Sequence, residues 1–568
     1  MKISKLHPAL QLLIYSLLAG LLLAFSWYPY GHALLIFFAW IPLLILSDQL
    51  IKKKERFYFW NAFIYSYPAF LVWNGITTWW IWYSTSVGSI AAIAINALLM
   101  SLVFSFWHQF RKIKKASWID YTALVLFWCC FEYLHLNWQL AWPWLNLGNV
   151  FAPQTGWIQW YEYTGTFGGT IWIFGVNILL YELGKNLISY YKSRKEVTDS
   201  QPAKRCAIVL GIAAATMVIL PPFFSKVIQK KYQIPKEQGI EAVIVQQNTD
   251  PWHEQYGMNN LEHVQRLIQV ASSQLTPNTQ LLICSESAIP HNLPLAYLVD
   301  NNFPKNGYDY YAFQLLDSLI AQYPKLNLIA GLSTAEFYDH AATPTARHLE
   351  DHYYYDLFNT SVCYNRGGTA GIYHKCRLVP GVEKMPYPRL FGFLEYFVID
   401  LGGSTGSLGV DSVQRAFPLA GTDPLIQIGA PICYESAYGE LFGKFVLNGA
   451  QIMSVITNDA WWSTSPGHRQ HFELSKLRAI ESRKYVLRSA NTGISAFIDP
   501  LGNSLQETTY GTRTAIREMV YPNNEITFYV KHGDYLARFA LAVSAVLVLF
   551  QIILTIRNRV GRKKRLVR

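Results

Sequence analysis

Charged residues are scarce in this 568-residue chain, in which Asp, Glu, Lys and Arg together make up 15%. Soluble domains carry roughly a quarter of such residues, so the deficit argues against an ordinary soluble protein. The seven cysteines include no CxxC pair and no zinc-ligand spacing. Their odd number argues against a complete disulfide framework and leaves room for a working thiol. No RNA- or DNA-binding motif accompanies the net charge of +11, so we expect no nucleic-acid partner.

Hydrophobic residues make up 51% of the chain and fall into long runs. A helix that crosses a bilayer needs roughly 17–25 such residues. The first run is not a signal peptide, because no small-residue cleavage site follows it and other spans come straight after. The runs predict a membrane α-helical bundle of eight transmembrane helices, near residues 8–26, 33–50, 58–77, 88–108, 119–137, 167–184, 206–224 and 536–556.

Among the short connections between these runs, Lys and Arg residues occur only in alternate ones, and those near 27–32, 78–87 and 138–166 contain none. Lys226, Lys230 and Lys231 are on the other side, but they open a large translocated segment, where the charge rule weakens. The positive-inside rule therefore predicts cytoplasmic termini and an outward-facing segment 225–535. We attribute the basic tail to topology and to contact with anionic lipid. The predicted domains are a seven-helix membrane domain 1–225, an extracytoplasmic domain 236–530, an eighth transmembrane helix 536–556 and a basic cytoplasmic tail 557–568.

Two features of the membrane half have both a structural and a functional interpretation. The outward connection 138–166 is rich in tryptophan and glycine. It is either an aromatic belt that anchors helix ends or a lipid-facing platform beneath the outer domain. Glu132 lies within the fifth run, where an ionisable side chain is a candidate for function, although a carboxylate that reaches the interface is an equal alternative.

From about residue 240 onwards, short strand patterns alternate with amphipathic helix patterns. Strands separated by helices are typical of an α/β domain whose sheet faces are covered by helices. The patterns predict strands at 242–248, 281–287, 326–333, 353–364, 368–375, 425–433, 451–457 and near 486–499, with helices at 258–275, 310–322, 438–448 and 470–483.

Three of these strands end in reactive side chains: Glu286, Lys375 and Cys433. Active residues concentrate at the carboxyl ends of strands in α/β sheets. A cysteine just before a helix that begins near Tyr438 is expected to feel a positive field that favours the thiolate. The thiolate can attack a carbonyl carbon, a carboxylate can take its proton, and an ammonium can stabilise the oxyanion. The sequence therefore predicts a Glu-Lys-Cys acyl-transfer site.

The sequence motifs around these residues resemble those of the nitrilase superfamily, whose members carry a Glu-Lys-Cys triad on an αββα sandwich. Within that superfamily, the chain is similar to the apolipoprotein N-acyltransferases of bacterial inner membranes, over nearly its whole length. The matching words are CSESAIP (284–290), YHKCRLVPGVEKMP (373–386), PICYESAYGE (431–440), TNDAWW (457–462) and HFELSKLRAIESRKYVLRSANTGISAFIDPLG (471–502), with WPWLNLGN (142–149) and FSWYPYG (25–31) in the membrane half.

The resemblance also implies supporting residues around the triad. Glu383 would orient Lys375, and the backbone N–H of Tyr434 would donate to the oxyanion. Glu435 follows in the same word, while Asn458, Trp461 and Trp462 would line the mouth of the site. The chain departs from the family at Cys284-Ser285, where Trp-Pro is usual, and at Gly381-Val382, where Phe-Gly is usual before the glutamate. These departures change the lining of the pocket and leave the triad in place.

The resemblance implies a two-step reaction that needs no metal and no cofactor. Cys433 would take an acyl chain from a membrane phospholipid and pass it to the α-amine of a lipoprotein's diacylglyceryl-cysteine. Nothing in the sequence demands more than one chain. The first alternative is a membrane-tethered amidase or nitrilase that acts on a soluble amide, which the triad alone does not exclude. The second is a scaffold or transporter, which would require a broken triad.

Three further side chains near the site are ambiguous in the sequence. His468 and His471 have helical i,i+3 spacing, which occurs in metal sites. We interpret them as the polar start of a helix because no third ligand clusters with them. Cys284 would point to the same side of its strand as Glu286 and is expected to line the pocket without reacting.

Overall fold

The computed structural model describes residues 7–52, 58–113, 118–196, 200–349, 353–388 and 407–566. The first part of the chain is helical and apolar. Pro221 and Pro222 lie inside its last helix, and Gly165 kinks the long helix before it. The helices of this membrane half are α1 (Pro8–Ala24), α2 (Ile36–Ala39), α3 (Ile41–Lys52), α4 (Tyr58–Thr78), α5 (Ser86–Ile113), α6 (Trp118–Leu136), α7 (Tyr161–Lys195) and α8 (Gln201–Lys231).

Six helical stretches among the described residues are long and apolar enough to cross a membrane. They are Ala33–Lys52, Ser86–Arg111, Trp118–Leu136, Tyr161–Lys195, Gln201–Lys231 and Tyr535–Arg557. Helix α1 is apolar but has only 17 residues, and α4 does not meet the same criteria. The count of eight spans therefore stays a prediction. Several of the basic residues behind the predicted topology lie outside the described residues: Lys2, Lys5, Lys53, Lys54, Arg56, Lys114, Lys115 and Arg568.

Residues 240–520 form two sheets that pack face to face. The strands are β1 (Ile240–Gln246), β2 (Leu281–Ile283), β3 (Ile289–Pro294), β4 (Asn327–Tyr338), β5 (Arg347–His348), β6 (Tyr354–Asn365), β7 (Gly368–His374), β8 (Ala416–Leu419), β9 (Ile426–Gly429), β10 (Ile452–Thr457), β11 (Val486–Ala490), β12 (Ala496–Ile498), β13 (Ser504–Glu507) and β14 (Thr514–Val520). The first sheet has the order β14-β1-β2-β4-β6-β5, with β3 paired to β4 and β7 to β6, and the second has the order β13-β12-β11-β10-β9-β8.

Helices cover the outer face of each sheet, so the domain is the expected four-layered αββα sandwich. One apolar core, which includes Ile244, Phe417 and Ile456, lies between the two sheets and continues to the helices that cover the second sheet. A second core joins the first sheet to the helices that follow β1 and β3. The helices of this part of the chain are α9 (Asn260–Ala271), α10 (Leu295–Val299), α11 (Tyr308–Gln322), α12 (Gly439–Leu447), α13 (Gly467–Ser482), α14 (Phe528–His532) and α15 (Tyr535–Leu566).

Two predicted strands are shorter than the sequence pattern indicated. β2 ends at Ile283 and β9 ends at Gly429, so Glu286 and Cys433 follow their strands at a distance of several residues. The sequence patterns did not predict strands β3, β5, β8, β13 and β14 or helices α10 and α14. The apolar pattern continues through these connections because they are buried, and burial alone does not distinguish a strand from a buried loop.

A buried arginine at the end of α13 joins the sandwich to the membrane half. Arg483 has φ +52° and lies just after the helix. Its Nε donates to Glu162 Oε2 at 2.7 Å, while its other nitrogens donate to Gln159 Oε1 at 2.6 Å and to Gln159 O at 3.0 Å. A fully buried guanidinium is stable only when it is paired and its hydrogen bonds are met, so this contact fixes where the two halves meet.

Candidate active site

Glu286 is held by hydrogen bonds to both of its carboxylate oxygens. Asn359 Nδ2 donates to Oε1 at 2.7 Å, and the backbone N–H of Asn458 donates to Oε2 at 3.0 Å. The backbone turns sharply here, since Ser287 has φ +56°. Gly331 of β4 passes so close that an added Cβ would lie 2.7 Å from the Glu286 Cα. The carboxylate is therefore fixed in direction by both sheets.

Lys375 follows β7 and is almost completely buried between two carboxylates. Its Nζ lies 2.8 Å from Glu383 Oε1 and 3.4 Å from Glu286 Oε1. Asn359 Nδ2 also donates to Glu383 Oε1 at 3.0 Å, and Val379 N–H donates to Oε2 at 2.8 Å. Burial lowers the pKa of Lys375, but the carboxylates of Glu383 and Glu286 outweigh it and raise that pKa above its ordinary value. The two carboxylates therefore favour the charged ammonium form of Lys375.

Cys433 begins a short 3₁₀ turn, Cys433–Ala437, and has φ +49°. For a residue with a side chain this left-handed conformation is strained, and such strain clusters at functional sites. Burial and the Glu286 carboxylate raise the pKa of the Cys433 thiol above its ordinary value, while Lys375 acts in the opposite direction. The helix predicted near Tyr438 is present as α12, which begins at Gly439, but burial of the thiol outweighs any positive field, so the expected lowering of this pKa is not found. The thiol needs a base, and Glu286 is the carboxylate with the largest electrostatic effect on it.

Glu435 and Tyr434 join the turn of the nucleophile to its surroundings. Glu435 Oε1 accepts from Tyr373 OH at 2.6 Å and from Cys376 N–H at 2.8 Å, and its Oε2 accepts from Ile432 N–H at 2.8 Å. These contacts tie the residues before Cys433 to the end of β7, where Lys375 lies. Tyr434 OH donates 2.8 Å to the carbonyl of Ala141, in the tryptophan-rich connection of the membrane half.

Asn458, whose backbone N–H contacts Glu286, precedes the short 3₁₀ turn that contains Trp461 and Trp462. Asn458 Nδ2 donates to Gln255 Oε1 at 3.2 Å. The Trp461 ring packs 5.1 Å from that of Trp252, which is 56% exposed and therefore presents an aromatic surface to solvent. The Trp462 ring lies in the junction with the membrane half, 4.7 Å from Trp80 and 5.6 Å from Trp144.

The candidates in the membrane half have structural partners. Glu132 accepts from Leu147 N–H at 2.7 Å, from Thr170 Oγ1 at 2.9 Å and from Trp128 Nε1 at 3.1 Å. It therefore holds the connection 138–166 against α6 and α7. Trp144 of that connection reaches the sandwich, with its ring 5.9 Å from that of Tyr434. The connection therefore contacts the outer domain, and both interpretations of its aromatic residues stay predictions.

Some site residues differ from the sequence prediction. Cys284 is fully buried in the core between the first sheet and its helices, so it does not line the pocket. The strand ends before it, and the two-residue alternation used to place it beside Glu286 does not apply. Asn359 was missed, although it bridges Glu286 and Glu383. A single asparagine in a strand carries no distinctive sequence signal, and only the pairing of β6 with β4 and β7 brings it here.

The assembled side chains can carry out nucleophilic acyl transfer. Glu286 is oriented to accept a proton, Lys375 supplies a fixed positive charge, and Cys433 lies within electrostatic range of both. Within the described residues, no group of three or more His, Cys, Asp or Glu side chains has the arrangement of a metal site. The chemistry supported by this geometry is formation of an acyl-thioester.

Comparison with known proteins agrees with this geometry. The carbon-nitrogen hydrolase model matches residues 241–521, and the model of the apolipoprotein N-acyltransferase N-terminal domain matches residues 19–179. An apolipoprotein N-acyltransferase of Chlorobaculum tepidum is 26% identical, over 94% of this chain and 95% of its own length. One of Thermotoga maritima is 23% identical, over 94% of this chain and 93% of its own. A solved nitrilase-superfamily protein of Saccharomyces cerevisiae is 19% identical, covers 50% of this chain and 91% of its own, and superposes with a TM-score of 0.34.

The two family models follow one another along the chain in the order membrane half, then sandwich, and together cover most of it. The relatives extend over nearly its full length. A helical membrane half joined to a carbon-nitrogen hydrolase domain is therefore shared with them as a whole. The chain is a membrane protein that belongs to the apolipoprotein N-acyltransferase family.

Proposed function

We propose that the chain transfers an acyl chain from a membrane phospholipid, through a thioester on Cys433, to the N-terminal amine of the diacylglyceryl-cysteine of lipoproteins. The observation that carries this proposal is the position of the nucleophile's turn. Tyr434, the residue after Cys433, donates its hydroxyl to Ala141 of the membrane half and packs on Trp144. A lipid ester can reach a site beside the membrane half directly from the bilayer, whereas an enzyme for a soluble amide would not require that contact.

In the first step, the Cys433 thiol gives its proton to Glu286 and the sulfur attacks the ester carbonyl carbon. A C–S bond forms and the carbonyl oxygen becomes an oxyanion, which Lys375 and the Tyr434 N–H stabilise. Collapse of this intermediate breaks the ester C–O bond. The lysophospholipid leaves as an alcohol after it takes the proton from Glu286.

In the second step, the lipoprotein α-amine attacks the thioester carbon. Glu286 accepts the amine proton, and the Lys375 ammonium and the Tyr434 N–H stabilise the second oxyanion. Collapse breaks the C–S bond, and the sulfur leaves as thiolate and regains a proton from Glu286. The product carries an amide-linked third acyl chain, and the enzyme returns to its starting state. Glu383 orients Lys375 throughout, and Glu435 holds the turn of the nucleophile.

The same proposal includes a topology and a location. The chain has eight transmembrane helices, seven in the membrane domain 1–225 and the eighth at 536–556. The catalytic domain 236–530 lies on the periplasmic side, and the tail 557–568 lies in the cytoplasm. The distribution of Lys and Arg supports this arrangement. The protein acts in the bacterial inner membrane as a monomer. Asn458, Trp461 and Trp462 line the route to the thiol, and no cofactor is required.

The proposal is tested by the mass of the Cys433 peptide after the purified full-length chain is incubated with phospholipid alone. We expect a fatty-acyl adduct on Cys433 and release of lysophospholipid. The same incubation with Glu286→Gln should give no adduct, because the thiol keeps its proton. Turnover of a soluble amide without any lipid adduct would instead identify an amidase.

A further inference from the structure

A series of buried polar side chains connects helix α13 to the backbone of the nucleophile. His471 Nε2 lies 3.2 Å from the Cys433 carbonyl oxygen and 2.9 Å from Ser436 Oγ. Ser436 Oγ donates to the same carbonyl oxygen at 2.7 Å. The carbonyl group of the nucleophile is therefore held by two polar side chains, neither of which is exposed.

The ring of His471 is fixed from behind by two charged groups. Its Nδ1 lies 2.9 Å from Asp459 Oδ1, and Arg488 Nη2 lies 2.7 Å from Asp459 Oδ2. All three side chains are 0% exposed. Burial raises the pKa of Asp459, but Arg488 and His471 outweigh it and hold that pKa well below its ordinary value. Arg488 Nη2 also lies 3.1 Å from Nδ1 and can donate to it, which leaves the ring proton on Nε2, the nitrogen that faces Ser436 and the Cys433 carbonyl oxygen.

Ser436, His471 and Asp459 have the connectivity of a hydrolase triad, yet Ser436 is not a second nucleophile. Its side chain is fully buried, and its hydroxyl is engaged with the Cys433 carbonyl oxygen. No substrate atom can approach an oxygen that has no exposed surface. These three side chains must therefore act through the group that they hold, which is the peptide group between Cys433 and Tyr434.

That peptide group is planar, with the carbonyl oxygen at one end and the Tyr434 N–H at the other. Contacts that fix the oxygen also fix the direction of the N–H. Cys433 has φ +49°, a conformation that an unsupported residue with a side chain leaves readily. Hydrogen bonds to the oxygen also polarise the peptide and strengthen its N–H as a donor.

We propose that His471 is a positioning residue for the oxyanion donor of this enzyme. Through its own contact and through Ser436, it holds the Cys433 carbonyl oxygen so that the Tyr434 N–H points at the forming oxyanion. The inference rests on the proposed function only in its choice of Tyr434 as the donor. Asp459 and Arg488 support His471 and touch no substrate.

Two substitutions of His471 distinguish the contribution of its contacts at Nε2 from that of its contacts at Nδ1. In His471→Gln the amide nitrogen can occupy the place of Nε2 and still donate to the Cys433 carbonyl oxygen. In His471→Asn the shorter side chain can still reach Asp459 but not the nucleophile. His468→Gln is the matched control, since His468 lies one turn earlier on α13 and packs its ring 4.5 Å from that of Tyr510.

The test compares two reactions of the Cys433 thiol in the full-length protein. Acylation by p-nitrophenyl butyrate passes through an oxyanion, whereas alkylation by iodoacetamide is a displacement at a saturated carbon and forms none. Loss of one oxyanion donor costs roughly 10²–10³ in rate, so a displaced donor in His471→Asn should slow acylation by at least about 10-fold. We expect alkylation to be unchanged, His471→Gln to retain most of the acylation, and His468→Gln to behave as wild type in both reactions.

Several outcomes would overturn the inference. Acylation of His471→Asn at the wild-type rate would show that the contact of His471 with the Cys433 carbonyl oxygen does not contribute to the reaction. If the rates of acylation and alkylation fell in parallel, His471 would act on the thiol itself or on folding. If His471→Gln and His471→Asn lost acylation equally, the contact with the Cys433 carbonyl oxygen would not explain the loss. A wild-type chain that reacts with iodoacetamide but not with the ester would have no working donor. Acylation by the ester without acylation by phospholipid would refute the proposed function and leave this inference intact.

Discussion

Replacement of Glu383 by Gln tests how Lys375 is held, and its effect can be worked from two distances. Lys375 Nζ lies 2.8 Å from Glu383 and 3.4 Å from Glu286. At an effective dielectric constant of about 20, these separations correspond to attractions of about 6 and about 5 kcal/mol. Glu383 therefore supplies about half of the attraction that offsets the burial of the ammonium. The remaining carboxylate is the one that must act as the base.

Without the charge of Glu383, the ammonium should move towards Glu286. A shorter ion pair makes Glu286 a weaker acceptor of the Cys433 proton and takes Lys375 away from the oxyanion. We expect formation of the acyl-enzyme to slow by about 10²–10³, the usual cost of losing an oxyanion donor. The fold should persist, because Gln keeps the shape of the side chain and the acceptor oxygen that faces Asn359 or Val379.

The assay is the rate of appearance of the Cys433 acyl adduct, measured by mass with phospholipid and no acceptor lipoprotein. Glu507→Gln, on an exposed position of β13, removes one negative charge far from the triad and serves as the control. Acylation of Glu383→Gln at the rate of Glu507→Gln would refute the reasoning. It would mean that Glu286 alone positions the ammonium.

Further outcomes follow from the same site. Cys433→Ser should lose turnover, because a hydroxyl is a far poorer nucleophile than a thiolate, whereas Cys284→Ala and Cys376→Ala should keep most activity; a Cys284→Ala variant as inactive as Cys433→Ala would contradict the assignment. A reporter fused after residue 350 should be active outside the cytoplasm, and activity only inside would refute the topology. Because burial and Glu286 raise the pKa of Cys433, its alkylation by iodoacetamide should still accelerate above about pH 8.5, where an ordinary thiol is half ionised; a plateau below that pH would contradict it.

The sequence patterns were sufficient to predict an α/β domain, and the resemblance to the nitrilase superfamily implied its four layers. Glu286 and Lys375 do lie together, whereas the catalytic roles of Glu286, Lys375 and Cys433 stay predictions. Alternating patterns locate α/β elements because burial on sheet faces is periodic. The same reasoning failed where the chain is buried without being periodic, as after Ile283 and Gly429, where two strands end early. It also failed for the ionisation of Cys433. The pKa of that thiol depends on burial and on Glu286, which is remote in sequence.

The supporting contacts of the site lay beyond the reach of sequence patterns. Asn359 bridges two carboxylates only because β6 pairs with β7. His471 was considered as a metal ligand or as a polar helix start, yet it contacts the Cys433 carbonyl group. Its partners Asp459 and Arg488 come from two other elements, so no local spacing links the three. Long-range contacts of this kind become visible only when the fold is known.

The guanidinium of Arg483, buried against Gln159 and Glu162, has a consequence for how this enzyme should be studied. A catalytic domain fastened in this way cannot lift away to collect its substrates, so they must come to it by diffusion within the plane of the bilayer. For an enzyme confined to two dimensions, the relevant concentration is the mole fraction of a substrate among the surrounding lipids. Dilution with inert detergent should therefore slow the reaction at constant bulk substrate, while dilution with buffer should not.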